Sequence, residues 1–576
     1  MTYRAPVADI AFTLLHASGF SAALAEGLYG ELDQATVEAV LEEAGKFASD
    51  VIAPLNSVGD KFGTPFEGGR VTMPPGWKEA YTSWAAAGWN GLAAPVQWGG
   101  QELPQAVNAA CVEMWNSASM AFAIGPVLTM AAIDALHAYG SHDLQERYLG
   151  KLVSGEWMGT MQLTEPQAGS DVGALRTKAD RGPDGSYRIT GQKIFITYGE
   201  HELTDNIIHF VLARLPDAPP GTKGISLFLI PKFLPDATRN DVRAHSVEHK
   251  LGIHGSPTCT MVFGDNGGAT GFLIGEENKG MAAMFTMMNR ARLAVGVQGA
   301  AIAERAVQQA LAYARERRQG AAGAIIHYPD VKRMLLTMRA LTGAARAICY
   351  ATGVALDRSL REKDEAMRKA AHERCSLLTP VAKAFSTDIG IEVASLGVQV
   401  FGGMGFIEET GAAQHYRDAR IAAIYEGTNG IQALDLVARK VPLEGGGTVA
   451  LYLDELRSTV ADVQASNAPG FGETAARLSE AVDSLDRATQ WLLLQQGTDL
   501  ALAGATPYLR LFGSAAGGCL LAEQALAAQR LGTDGAGRTA LARFFAENIA
   551  VQALGLERVV TQGADSITHA QAALAE

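Results

Sequence analysis

From about Thr36 to Leu152 apolar residues recur at three- and four-residue spacing, interrupted by turn-rich stretches such as Pro95-Val96-Gln97-Trp98-Gly99-Gly100. This pattern predicts helices joined by tight breaks. Between about Met161 and Gly280 the period shortens, and Tyr187-Arg188-Ile189, Ile194-Phe195-Ile196, Ile207 to Ala213, Ile225 to Ile230 and Thr260 to Phe263 read as strands. Pro183-Asp184-Gly185 and Pro219-Pro220-Gly221 supply turns, one residue fixing φ and another tolerating positive φ. After Gly280 helices return. Val295, Ile302, Ala306, Ala310 and Tyr313, flanked by Val307, Leu311 and Ala314, form an apolar stripe too wide for an exposed face, which predicts a bundle helix. Near Lys440 this block ends, and Gly445-Gly446-Gly447 predicts a flexible joint. Beyond it Leu453, Leu456, Val460 and Val463, then Leu478, Val482, Leu485 and Leu492, are helix-spaced, and two more helices fit around Leu509 to Arg530 and Thr539 to Val560.

The chain is therefore expected to be an α+β multidomain protein. Its expected parts are an N-terminal extension (1–35), a helical N-terminal domain (36–160), a middle β domain (161–280), a helical bundle (281–444) and an additional C-terminal helical domain (448–576). At about 150 residues per domain, 576 residues also imply three or four domains. A net charge of −13 makes nucleic acid a poor partner, so an anionic ligand would need local helix ends, backbone N–H groups or a few cations. The five cysteines show no CxxC or metal-ligand spacing, which points to a reducing, cytoplasmic setting and no metal. Met120 to Ile133, the longest strongly apolar run, contains Gly125 and Pro126 and is too short to cross a bilayer, so a buried helix and no membrane span are expected.

Neither GxGxxG after a strand nor GxxxxGK[ST] occurs, so any nucleotide must bind outside the Rossmann and P-loop patterns. The strings that stand out are Leu163-Thr164-Glu165-Pro166-Gln167-Ala168-Gly169-Ser170-Asp171, Gln192-Lys193-Ile194-Phe195-Ile196-Thr197, Tyr313-Ala314-Arg315-Glu316-Arg317-Arg318-Gln319, Gln399-Val400-Phe401-Gly402-Gly403-Met404-Gly405, and Arg417 to Gln432 with Tyr425-Glu426-Gly427-Thr428 inside it. In this order, across a helix–β–helix alternation, the sequence resembles the acyl-CoA dehydrogenase family over roughly residues 36 to 440. It is most similar to larger bacterial members that carry an added C-terminal helical domain.

The resemblance implies an FAD enzyme that desaturates an acyl-CoA thioester, a base taking the α-proton while hydride leaves the β-carbon for flavin N5. Such chemistry needs a carboxylate poised by desolvation and donors aimed at the thioester oxygen. By its place in the family motif Glu426 is the expected base, its backbone N–H an oxygen donor, with Gly427 beside the substrate; an isolated Glu before Gly would otherwise read as a solvated turn. Met161, Leu163, Thr164 and Gly169 match the segment along the flavin, and Ser170 the position near pantetheine or phosphate. Phe195, Ile196 and Thr197 match the strand behind the isoalloxazine, with Phe195 in place of the usual Trp and Tyr198 in place of a frequent Asn. Arg317 and Gln319, and Gln399, Gly402 and Gly403, match contacts that a neighbouring subunit makes to FAD, which implies at least a homodimer. Gly320 departs from the usual aromatic after Gln319. Thr428 matches a flavin-contacting threonine, whereas Gly430 replaces a longer polar residue. Arg292 matches an arginine near the CoA and thioester entrance, with Asn289 in place of an acidic residue. The implied partners are an acyl-CoA substrate and an electron-transfer flavoprotein as acceptor. An oxidase using oxygen and a catalytically idle scaffold of the same fold are the alternatives.

Overall fold

The computed structural model describes residues 3–321, 323–533 and 535–575. Its first block comprises α1 (Val7–Ala17), α2 (Phe20–Ala25), α3 (Gln34–Phe47), α4 (Asn56–Phe62), the small hairpin β1 (Phe66–Glu67) and β2 (Arg70–Val71), α5 (Trp77–Ala86), α6 (Gln105–Tyr139) and α7 (His142–Val153). Residues ahead of α3 are built into the body, because Ile10, Leu14 and Phe20 are fully buried in the main core. Asp9 anchors this segment from both sides, pairing with Arg346 at 2.6 Å and Arg538 at 2.7 Å.

Helix α6 absorbs the apolar run from Met120 to Ile133 and is bent at Ser119 (φ −158°, ψ 105°). Pro126 lies seven residues beyond and lacks the N–H that would bond the Phe122 carbonyl. Tyr198 compensates: its hydroxyl donates to Ala121 O at 2.9 Å, with Phe122 O at 3.4 Å, and accepts from Trp77 Nε1 at 3.2 Å. Gly125 leaves room for the tyrosine ring, whose Cδ1 would stand 3.0 Å from any Cβ there. The residue in place of Asn thus ties the β domain to the bend of α6. Among the described residues three helices, Gln105–Tyr139, Glu365–Phe406 and Ala505–Leu531, are long and apolar enough by length and composition to cross a membrane, more than the single apolar run of the sequence suggests. In the fold the most apolar windows of the first and third are 83% and 94% buried inside the protein, as core helices.

The middle region holds β3 (Trp157–Gln162), β4 (Lys178–Arg181), β5 (Tyr187–Thr197), β6 (Asn206–Arg214), β7 (Ile225–Pro231), β8 (Val242–Val247), β9 (Thr258–Phe263) and β10 (Ala269–Ile274). They run in the order β10-β7-β6-β4-β5-β9-β8, with β3 parallel to β6, and β10 also pairs with β5, which curls the sheet into a barrel-like closure. The predicted strands at 187–189 and 194–196 are one strand. A register shift against β9 between Lys193 and Ile196 places Phe195 on a bulge at φ +61°.

Helices α8 (Gly280–Glu316), α9 (Pro329–Arg361) and α10 (Glu365–Phe401) form the bundle, followed by α11 (Ala412–Ala419) and α12 (Asn429–Asp435). The last block is α13 (Gly447–Ala465), α14 (Thr474–Leu494), α15 (Asp499–Ala503), α16 (Ala505–Leu531), α17 (Gly535–Asn548) and α18 (Ala553–Gln562). The one helix expected over 539–560 is two, separated at Ile549 and a 3-10 turn over Ala550–Gln552. The glycine joint is not loose. Gly446 (φ +95°) sits under Leu493, whose Cδ1 would be 2.8 Å from a Cβ, so the positive φ serves a packed turn. Glycines also seat α16: a Cβ at Gly513 would meet the Phe385 ring of α10 at 2.2 Å, and one at Gly517 would meet Ala344 of α9 at 2.7 Å. One apolar core runs from α1 through the bundle into α18.

Candidate active site

After α11 a short 3-10 turn over Arg420–Ala423 delivers the chain to Glu426, where two successive residues turn left-handed, Glu426 at φ +55° and Gly427 at φ +85°. A non-glycine residue is strained in that conformation, so its surroundings must hold it. They do so from several elements. Gln432 Nε2 donates to Glu426 O at 3.3 Å, Lys383 Nζ of α10 donates to Gly427 O at 2.9 Å, and the Tyr425 hydroxyl donates to Gln298 of α8. Thr428 caps α12, its hydroxyl accepting from Ile431 N at 3.3 Å, so this hydroxyl also has a structural duty.

Glu426 is half-buried. Burial pushes its carboxyl above the ordinary carboxylate range, and the positive charges of Arg292 and Lys383 partly oppose that rise. Arg292 is depressed by burial in turn, with Asp435 and Glu426 opposing. Its Nη2 would lie 3.9 Å from a Cβ on Gly427, and its Nε is buried without a hydrogen-bond partner among the described residues. The structure therefore brings Glu426, Gly427 and Arg292 together, and adds Lys383.

A second group lines the β domain. Met161 is buried at the end of β3, Leu163 and Thr164 are half-buried, and Gly169 and Ser170 are exposed on the following turn. Ile194 N donates to Thr164 O at 2.9 Å, which sets the 163–164 segment beside the bulge. There Ile196 is buried and Thr197 half-buried, while Phe195 is 60% exposed. Beneath the turn lies an ion pair: Lys193 Nζ donates to Glu165 Oε1 at 2.8 Å and Leu163 O at 3.0 Å, with side-chain exposures of 0% and 4% for the lysine and the glutamate. Glu165 also accepts from Arg176 N, Thr177 N and the Thr177 hydroxyl. Burial alone would raise this carboxyl, but Lys193 and these donors pull it down to about 2.

Hydrogen bonds and close packing join the two groups. Tyr198 N donates to Pro257 O at 2.8 Å, and on the same loop Ile253 N donates to Asp418 while a Cβ at Gly252 would meet the Arg417 backbone at 2.5 Å. Lys250 and His254 belong to that fastening, Lys250 donating to Ser256 O and His254 bonding Asp60, which pairs with Arg417.

Arg317, Gln319, Gln399, Gly402 and Gly403 lie elsewhere. The stacked rings of Tyr313 and Phe401, 4.0 Å apart, bring the ends of α8 and α10 together, and all five residues are exposed there. Arg317 Nη2 donates to Gln319 Oε1 at 3.3 Å, and a Cβ on Gly402 or Gly403 would meet nothing within 4 Å. At about 1.5 Å per residue, some 37 Å of α8 separates Arg317 from Arg292. Within one chain this cluster does not join the Glu426 site. The Gln319 loop is closed by Tyr328, whose hydroxyl donates to Gln319 O at 2.8 Å and would be 2.3 Å from a Cβ at Gly320, so glycine replaces the aromatic to admit Tyr328.

Sequence reasoning passed over Lys383, Gln432 and the Glu165–Lys193 pair. A signal existed for two of them: Lys193 shares the inward face of β5 with Ile189, and Lys383 stands in the apolar run Val381-Ala382-Lys383-Ala384-Phe385, places where an ammonium requires a partner.

These surfaces suit FAD: an uncovered aromatic ring on a rigid bulge beside backbone amides, and, at the other end of the bundle, open glycines with an exposed guanidinium. Family models match in the same order, acyl-CoA dehydrogenase N-terminal domain at 34–156, middle domain at 160–266 and C-terminal domain at 278–441, then acetyl-CoA dehydrogenase C-terminal like at 452–571. The chain is 46% identical to 3-methylmercaptopropionyl-CoA dehydrogenase of Ruegeria pomeroyi, over 99% of this chain and 100% of that one. Among solved structures, Caenorhabditis elegans ACDH-11 in complex with C11-CoA superposes with a TM-score of 0.81 at 19% identity (97% of this chain, 95% of that one). Acyl-CoA dehydrogenase complexed with FAD from Bacillus anthracis superposes with a TM-score of 0.75 at 21% identity (93% and 88%). Two-thirds of the chain and more matches in domain order, and a near-full-length relative agrees: the chain belongs to the acyl-CoA dehydrogenase family of FAD-dependent oxidoreductases.

Proposed function

We propose that the protein oxidises an acyl-CoA thioester to the trans-2-enoyl-CoA, with Glu426 as the base that removes the α-proton. The observation that carries this reading is the half-buried Glu426 carboxyl, raised by burial and flanked by Arg292 and Lys383 on a strained turn. Desolvation makes it basic enough to take a weakly acidic proton, while the two cations keep it ionised until it does so. The Glu426 N–H, fixed by the same turn, serves the thioester oxygen as charge develops there. Arg292 stands near enough to guide the anionic CoA moiety past Gly427. Bound FAD supplies the hydride acceptor. Leu163, Thr164 and Phe195 would hold its ring, Ser170 would approach the pantetheine or phosphate, and Arg317, Gln319, Gln399, Gly402 and Gly403 would hold the far end of the cofactor of a second subunit in a homodimer. The roughly 37 Å of helix between the two clusters supports that exchange.

An electron-transfer flavoprotein is the proposed acceptor, and turnover with a soluble acceptor but not with oxygen separates this reading from an oxidase. The five free thiols, four of them buried, fit a reducing cytoplasm. A substrate panel headed by 3-methylmercaptopropionyl-CoA, after the 46%-identical relative, and by straight-chain acyl-CoAs defines the acyl group. In the decisive test E426Q keeps the flavin absorption and acyl-CoA binding while kcat falls by about 10²–10⁴-fold. Normal turnover by E426Q places the base elsewhere, and a colourless wild-type preparation favours an idle scaffold.

A further inference from the structure

Lys383 lies on α10, well ahead of the base in sequence, and makes both of its hydrogen bonds to the turn that carries it. Its ammonium donates to Gly427 O at 2.9 Å and to Asn429 Oδ1 at 2.8 Å. Asn429 is itself committed to α10, its Nδ2 donating to Asp388 Oδ1 at 2.7 Å, Thr387 Oγ1 at 2.9 Å and Ala384 O at 3.2 Å. Residues 383 and 387 are one helical turn apart, so one face of α10 grips both sides of residue 428. Besides Asp388, the other bonds to the turn come from neutral groups: Gln432 reaches Glu426 O, and the Thr428 hydroxyl serves α12.

We propose that Lys383 is a positioning residue for the dehydrogenation, clamping Gly427 and Asn429 so that the Glu426 carboxylate and N–H keep their strained orientation, and supplying the charge that favours the ionised base. This rests on the assignment of Glu426 as base. The charges that face the pair are identifiable. Glu426 is met by Arg292 from α8 and Lys383 from α10, with Tyr425 on its own turn. Lys383 is met by Glu426, Asp388 and Arg292; Arg292 by Asp435 at the end of α12 and Arg439 beyond it; Asp388 by Arg510 of α16 and by Arg420. Burial brings Lys383 down to about 7, against the pull of Glu426 and Asp388, and burial raises the Glu426 carboxyl against Arg292 and Lys383, so the charge of each group bears on that of the other.

A second cation cannot be exchanged for a neutral side chain without moving the base. With the ammonium removed, the carboxylate loses an opposing charge, its proton is held to higher pH, and the ascending limb of kcat/KM moves upward by about one pH unit. The test is the pH profile of the FAD-loaded enzyme for wild type, K383M, K383R, N429D and E426Q, with flavin content measured in each. E426Q first assigns the limb. If the limb survives in E426Q, the base assignment falls and the role of Lys383 with it. If E426Q abolishes it, the expected results are an upward shift and lowered kcat in K383M, with a return toward the wild-type limb in K383R. N429D retains the lysine but neutralises it with a carboxylate and should shift the limb in the same direction, so the proposal can still be refuted if K383M does not fold. An unmoved limb in flavin-replete K383M or N429D overturns the proposal for Lys383 and leaves Glu426 as base intact.

Discussion

Replacing Lys193 by Met tests whether the buried ion pair under the 163–170 turn holds the flavin-facing surface. Methionine keeps the length and apolar stem of lysine but removes the ammonium, leaving Glu165, 4% exposed, with only neutral donors from Arg176 N, Thr177 and Gln167. Against burial, Lys193, Thr177 and the Arg176 N–H together hold the Glu165 carboxyl at about 2, while burial draws the Lys193 ammonium down to about 8. The size of the effect therefore follows from the loss of one partner of a buried pair, which typically costs about 3–5 kcal/mol. K193M should therefore lower the unfolding free energy in urea by about 3 kcal/mol at pH 7. Because the folded carboxyl titrates below its unfolded value, the contribution is present above about pH 4.5 and is lost as pH falls toward 2, so the difference between wild type and K193M should shrink on acidification. The double variant E165Q/K193M, which has no orphaned charge, should be more stable than K193M. FAD retention through a desalting column should fall in K193M, because Lys193 also holds Leu163 O. A K193M protein within about 0.5 kcal/mol of wild type, with full flavin, would refute the reasoning.

Two further outcomes follow from burial and exposure. R346M removes a guanidinium, 2% exposed, that pairs with Glu113 at 2.7 Å, Glu304 at 2.9 Å and Asp9, and should lower stability by about 3–5 kcal/mol in chemical unfolding, since Glu113 is fully buried. F195A, at an exposed ring, should leave stability of the flavin-free protein within about 0.5 kcal/mol of wild type while weakening FAD retention, and F195W should restore it.

The helical and β divisions were legible because apolar pattern is a local property: the wide stripe of α8 and the short continuous apolar run at 207–213 announce themselves. Strands β3, β4, β8 and β10 were not. Buried residues fill nearly all of β3, which hides any alternation, β4 is four residues long and mostly charged, and β8 is an edge strand that pairs with β9 alone. Of the site, Glu426, Arg292 and the 163–170 and 195–197 segments could be read from motif strings. The burial that raises the carboxyl, the left-handed turn and the Lys383 grip depend on α8 and α10 meeting a loop that lies beyond the bundle in sequence, so no local pattern contains them. Likewise the glycine run at 445–447 suggests freedom when read alone, and only Leu493 reveals a packed turn.

The C-terminal block reaches the active site through α10, while α16 also packs on α12. On α10, residues 383 and 387 face the Glu426 turn, whereas residue 385 is about 200° around the axis from residue 383 and faces the other way. That opposite side is where α16 packs: Gly513 lies against the Phe385 ring, Arg510 sits 5.4 Å over the same ring and bonds Glu392 at 2.9 Å. Any side chain at Gly513 would push on Phe385, and a shift of α10 by even a few tenths of an ångström would be transmitted to the two hydrogen bonds of Lys383, because close-packed interiors convey displacement instead of absorbing it. Burial raises the carboxyl of Asp388, the residue that holds Asn429, and Arg510 opposes that rise, so the block contributes charge as well as contact. The added helices therefore form the back wall of the element that grips the base, and their packing is a condition of the site's geometry.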